Sequence, residues 1–321
     1  MNPETHGPIP TPSAMSQLPT GKIFTGRIIG SITAFSLISS ICLIWLVTLV
    51  IEPMVTTPVT FTLNGIISLG FDLLITILIL IAFLHNSLDL MTSAAYRVRK
   101  PKMDKSVPKV KRFGLLETFQ HLTLIATTAI SALTGFTLMF YSSWGSSVAG
   151  DLGGFAQTLN IHYASAIVMG VLVAYHFGFY SAKYVTNKVI GQPARFDINF
   201  NKKDITDFFA SIKYYLGRGD KPKFAKYSYA QKFDYWGIYW GMVILGLPGL
   251  LIWSGGIGAD GGLAFIFHIK EALLAVLFLG VFHFYQVHFT PRQFPADLTL
   301  FTGVVSEEEM KEDHPLEPPN M

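Results

Sequence analysis

Charge is scarce in this chain. Asp, Glu, Lys and Arg make up 14% of its 321 residues, against about 25% in a soluble domain. With half the residues hydrophobic and a mean hydropathy of +0.43, a chain this long is a multi-span membrane protein, not a soluble enzyme or a disordered regulator. Cysteine is nearly absent too. Cys42 stands alone, which excludes a disulfide framework, an iron–sulfur cluster built from this chain, and covalent haem attachment through Cys-x-x-Cys-His. Lys and Arg are missing from three short stretches near 52–59, 142–161 and 254–264. No basic domain stands apart from the apolar segments, so no nucleic-acid partner is expected. No repeat of 20–50 residues is visible.

Apolar runs near 28–51, 60–84, 118–141, 162–182, 234–253 and 265–288 are each long enough for the roughly 20 residues that a helical crossing needs. The first 25 residues are rich in Pro, Thr and Ser and read as a disordered tail. The first span comes too late and runs too long for a cleaved signal peptide, so it is kept as a helix. Arg97, Arg99, Lys100, Lys102, Lys105, Lys109, Lys111 and Arg112 follow the second span. A second basic series from Lys183 to Lys232, including Arg195, follows the fourth. Basic loops thus alternate with loops that lack Lys and Arg, and the positive-inside rule puts both termini in the cytoplasm.

The expected organisation is all-α and integral to the membrane. Residues 1–25 form the tail, 26–96 a two-helix membrane segment and 97–117 a basic linker. Residues 118–300 form a four-helix bundle with a cytoplasmic loop at 183–233, and 301–321 a C-terminal tail. Within that loop, 204–217 predicts an amphipathic helix capped by Asp204 and stopped by Gly217. Its apolar side, Phe208, Phe209, Ile212, Tyr215 and Leu216, either lies on the membrane interface or packs on the bundle ends.

Of nine histidines, His6 and His314 in the tails and His85 at the inner end of the second span are assigned no role. His121, His162, His176, His268, His283 and His288 lie in or at the ends of spans three, four and six. Ionisable side chains at such places default to a functional hypothesis. His162 and His176 differ by about 40° around one helix and by roughly 21 Å along it; His268 and His283 differ by about 60° and roughly 22 Å. Spans four and six run in the same direction. His162 and His268 therefore share the outer level, while His176, His283 and His121 share the inner one. Imidazoles on facing helices at two levels suit two haems, each iron taking an axial imidazole on either face. Gly170, Ala275 and Gly280 would let a macrocycle approach the backbone, or they line ordinary helix contacts.

The last 210 residues or so resemble the membrane cytochrome b (gamma) subunit of respiratory formate dehydrogenases. The resemblance rests on short stretches in order: Leu116 to His121, Ser131 to Gly135, Asn160-Ile-His162, Lys203-Asp-Ile205, Lys226-Tyr227, Gln231-Lys232, Tyr235-Trp236, Ile252-Trp253, His268, His283-Phe-Tyr285, Thr302 to Ser306 and His314-Pro315. The first two spans fall outside it. It implies two b-type haems, the outer held by His162 and His268, the inner by His121 and His283. The sequence departs from the pattern in that His176 adds a third inner imidazole, and the spacing in the last helix is one residue longer than expected. Geometry alone pairs His176 with His283, and the resemblance favours His121. The spare histidine could then bond a haem propionate or serve a quinone.

By the same resemblance the chain is an electron-transfer subunit of the bacterial inner membrane. A periplasmic catalytic dehydrogenase and its iron–sulfur subunit feed the outer haem, and a quinone is reduced near the inner one. Formate is the leading substrate of the partner, with hydrogen and reduced-sulfur oxidoreductases as alternatives. The family's quinone site maps onto Lys226 to Lys232, where Ser228 or Gln231 would hydrogen-bond the head group, or where a structural turn simply starts a helix. Lys270 either pairs with haem propionates or snorkels to the outer interface. Asp72 either carries protons or, as is favoured, bonds a hydroxyl of a neighbouring span. A different class of function, a haem-free transporter moving a proton or metal through membrane histidines, leaves the two depth-matched pairs as coincidence. A structural anchor that has lost its cofactor is the third reading.

Overall fold

Six helices long and apolar enough to cross a bilayer run through the computed structural model. It describes residues 26–58, 60–99, 108–193, 196–255, 262–291 and 293–317, the side chains of 96–99 excepted. The expected tail over 1–25 with His6, the side chains of Arg97 and Arg99, and Lys100, Lys102, Lys105, Arg195 and the last four residues lie outside the described residues. The spans are α1 (Gly26–Thr56), α2 (Leu63–Arg99), α3 (Leu115–Met139), α5 (Phe155–Val189), α7 (Tyr229–Trp253) and α8 (Leu263–Phe289). A short α4 (Ser146–Asp151) precedes α5. Several helices outrun their apolar stretches: α2 continues past 84 and α5 begins at 155. Hydropathy marks only the part of a helix that lipid covers, while the backbone bonds carry on into polar surroundings.

α3 packs along α5 and α7 along α8, whereas the seam between α5 and α7 is much shorter. Two tight hairpins thus face each other with a looser division between them. The first two helices do not stand apart, since α1 and α2 both lie against α8. Gly280 makes the α1 approach possible: a Cβ there would come within 2.5 Å of Cys42 Sγ. Of the two sequence readings of Gly280, room for a macrocycle or a helix contact, the helix contact is the one seen. Gly170 has nothing within 4 Å of where its Cβ would be. In α8 the turns at Leu279–His283 and Tyr285–Phe289 are wide, π-helical turns. A wide turn absorbs one residue without rotating the rest of the helix.

Outward faces are rich in large apolar side chains such as Leu37, Ile44, Ile77, Val171 and Leu247. At the end carrying the basic loops, α6 (Lys202–Tyr215) is capped by Asn201, whose side chain accepts from Lys203 N at 2.8 Å. Asp204 is not the cap; it sits one turn in and returns a bond to Asn201 N at 2.7 Å. Gly217, at φ +71°, does stop the helix. Phe208 packs inward on His85, while Phe209 and Leu216 stay exposed. Two strands qualify the all-α expectation: β1 (Lys109–Lys111) pairs antiparallel with β2 (Val304–Ser306). The short helices α9 (Thr299–Thr302) and α10 (Glu307–Asp313) flank β2.

Candidate functional site

His162 of α5 and His268 of α8 meet at one level of the bundle, their ring centroids 6.1 Å apart and their planes at 81°. Hydrogen bonds fix the tautomer of each. Thr134 Oγ1 gives its proton to the Ile130 carbonyl at 2.7 Å, so it accepts from His162 Nδ1 at 3.0 Å. His268 Nδ1 lies 2.9 Å from the Leu245 carbonyl, which can only accept. Both imidazoles therefore keep an Nε2 lone pair. Glycines back both rings: a Cβ at Gly135 would sit 3.2 Å from His162 Cε1, and one at Gly249 would sit 3.0 Å from His268 Cε1.

The other level holds four imidazoles in two different conditions. His176 is committed at both nitrogens, with Nδ1 donating to Gln120 Oε1 at 2.6 Å and Nε2 accepting from Tyr235 Oη at 2.7 Å. Spacing alone makes it a ligand candidate; its bonds make it a cross-link between α3, α5 and α7. His283 donates from Nδ1 to the buried Asp234 carboxylate at 2.7 Å, again leaving Nε2. His121 stands in electrostatic range of His283 and His288, with its ring 6.0 Å from Phe301. The rings of His283 and His288 are 6.3 Å apart. Nδ1 of His121 and of His288 are buried without a hydrogen-bond partner among the described residues.

This donor set suits haem iron. A metal–imidazole bond is about 2 Å, so imidazoles on opposite sides of one iron have centroids about 6 Å apart. Metal-bound histidines usually donate their second nitrogen to a carbonyl or carboxylate; here His268 faces the Leu245 carbonyl, His283 the Asp234 carboxylate, and His162 the Thr134 hydroxyl and the Ser131 backbone carbonyl. Among the described residues no cluster of three or more His, Cys, Asp or Glu side chains could hold a bare metal ion. Haem needs only two from the protein, because its ring supplies four.

The remaining expected site residues are engaged elsewhere. Ser228 Oγ accepts from Gln231 N at 3.2 Å, and Gln231 Oε1 accepts from Ser228 N at 2.9 Å. The pair is a capping box opening α7, the structural alternative to a quinone donor. Lys270 Nζ lies 2.5 Å from Asp72 Oδ1, joining α8 to α2; the sequence alone does not pair them. His85 is buried, not solvated. It donates to Asn86 Oδ1 at 3.0 Å and accepts from Tyr229 Oη at 2.7 Å. His314 is buried as well, bonded to the Ala225 carbonyl at 2.6 Å. Sequence reasoning missed Glu271, a buried carboxyl in α8 with no bonding partner among the described residues. Its only signal was an acidic residue inside an apolar run. Outside the spans, burial pushes the Tyr227 hydroxyl up to about 12, against the opposing pull of Arg112.

Comparison of the chain with known protein families finds no match, and no curated protein matches it.

Proposed function

We propose that this chain is a di-haem b-type electron carrier of a bacterial inner membrane. It would accept electrons from a dehydrogenase on the side lacking basic loops, formate dehydrogenase being the leading partner, and pass them to quinone on the basic, cytoplasmic side. The observation that carries this reading is the His162–His268 pair: centroids 6.1 Å apart, both Nδ1 atoms tied and both Nε2 lone pairs unspent. His162 and His268 would hold one haem; His283 with His121, which approaches from another helix, would hold the other. Bound haem supplies a one-electron couple at each level. The protein's part is to orient imidazoles, to raise their basicity through Thr134, Leu245 and Asp234, and to keep water from the bundle interior.

The test is a dithionite-reduced minus air-oxidised spectrum of the purified chain. Two b-type haems per chain support the proposal, and none would overturn it in favour of the transporter or anchor readings. His162→Ala should remove about half of the haem absorbance. His121→Ala should remove the other half, while His176→Ala should retain both haems.

A further inference from the structure

We infer that α6 lies half-sunk in the leaflet at the basic end of the bundle and docks there on anionic phospholipid. This assignment is independent of haem.

α6 presents four chemistries in rotational order. At 100° per residue, Ser211, Asp204, Tyr215 and Phe208 fall within about 60° of one another. This side is packed on the bundle. Phe208 lies 6.2 Å from His85 and 5.7 Å from Tyr229 between ring centroids, and Lys232 Nζ donates to Asp204 Oδ2 at 3.0 Å. The half-buried Ile212 follows. Ile205, Leu216 and Phe209 come next, within about 40°, each more than half exposed. Beyond them stand Lys202 and Lys213, both exposed. Neither ammonium group has a hydrogen-bond or ion-pair partner among the described residues. Lys203 and Asp207 take the far side, paired with each other at 2.5 Å.

Protein, hydrocarbon, cation and ion pair thus succeed one another around a single helix. The flank of a membrane protein meets the same succession on the way from its own core through acyl chains and head groups to water. The surface of a protein partner imposes no such gradient. Single exposed apolar side chains are ordinary, whereas an aligned row marks a contact surface. Lysine stems can lie along that row and place their charges among anionic head groups.

Depth agrees with this. The apolar run of the second span ends at Leu84, and Phe208 packs on the next residue, His85. Trp236 Nε1, two turns into α7, donates to the Ile198 carbonyl at 3.1 Å. The chain therefore enters α6 alongside the first turns of α7, not beneath them. α6 sits where the spans leave the hydrocarbon.

The experiment uses the full chain in phosphatidylcholine vesicles, with a fluorophore on Phe209→Cys and, as the water-side control, on Lys203→Cys. The native Cys42 is buried. Trace lipid with a nitroxide on its acyl chain, either phosphatidylglycerol or phosphatidylcholine, is one quencher, and iodide on both faces is the other. Each label is read against the same chain without quencher, so resident haem leaves the ratios unchanged. The label at 209 should be quenched by lipid and shielded from iodide, and the label at 203 the reverse. At equal mole fraction, phosphatidylglycerol should be enriched about fivefold or more at 209, the effect of one lysine near an anionic surface. Lys202→Gln with Lys213→Gln should bring the two lipids to parity. Iodide reaching position 209 as readily as 203 would overturn the proposal and make the stripe the seat of a protein partner. Parity of the two lipids in the parent chain would defeat it as well, as would a phosphatidylglycerol preference that survives loss of both lysines.

Discussion

At the scale of single residues, chemistry here is decided by which ring nitrogen is left over. Spacing along one helix brings His162 and His176 onto one face equally well and does not separate them. The difference lies on other helices: Thr134 takes one nitrogen of His162, whereas Gln120 and Tyr235 take both nitrogens of His176. That is why spacing brings out the approach of His162 to His268 but cannot rank His176 against His121 at the other level. The glycines behind the outer rings carry a sharp prediction. Gly249→Val puts carbon at 3.0 Å or less from the His268 ring. Overpacking of this kind costs about 1–3 kcal/mol. If the chain holds two haems as proposed, the displaced ring should lose the one at the His162–His268 level, read as a halved difference spectrum with the other component intact. Equal loss of both components would show that Gly249 supports the whole bundle and not this ring.

At the scale of elements, the spans and their order can be read from apolar runs, but the contacts between them cannot. Asp72 and Lys270 each look anomalous in an apolar helix, and their pairing becomes visible only when α2 is laid on α8. Removing one partner of a buried ion pair typically costs about 3–5 kcal/mol, while replacing both by apolar residues is often neutral or favourable. Lys270→Met should therefore lower the thermal unfolding midpoint in detergent markedly. Lys270→Met with Asp72→Leu should restore it to the parent value or above. If the double variant is as unstable as the single one, the pair has a role beyond neutralising two charges. The wide turn at Leu279–His283 teaches the complementary lesson, since it changes the direction in which His283 leaves the helix and hydropathy cannot register it.

At the scale of the whole molecule, the segments that look like separate linker, loop and tail in the sequence close into one plate across the basic end. The β1–β2 pairing is too short to be seen from periodicity. Gly303, at φ +74°, turns the chain so that its carbonyl accepts from Arg112 N and Phe113 N at 2.8 and 3.1 Å. The Arg112 guanidinium then reaches the Lys226 carbonyl at 2.6 Å, Glu317 at 3.1 Å and His314 Nε2 at 3.1 Å. Linker, loop and tail thus share one cation whose side chain is 7% exposed. A charge so buried stays only while its partners do, and the three partners lie on the loop and the C-terminal segment, outside the spans. Arg112→Ala should therefore release the C-terminal segment without unfolding the membrane helices. Brief trypsin treatment should cut the variant after Lys311 at least about tenfold faster than the parent, since opening free energy governs cleavage of native chains. The difference spectrum should be unchanged, because every proposed iron ligand lies in the spans. Parent-like resistance at Lys311 would mean that the three-residue ribbon holds the tail alone. Loss of haem together with fast cleavage would mean that the plate also fixes the ends of α3 and α8 that lie on the basic side.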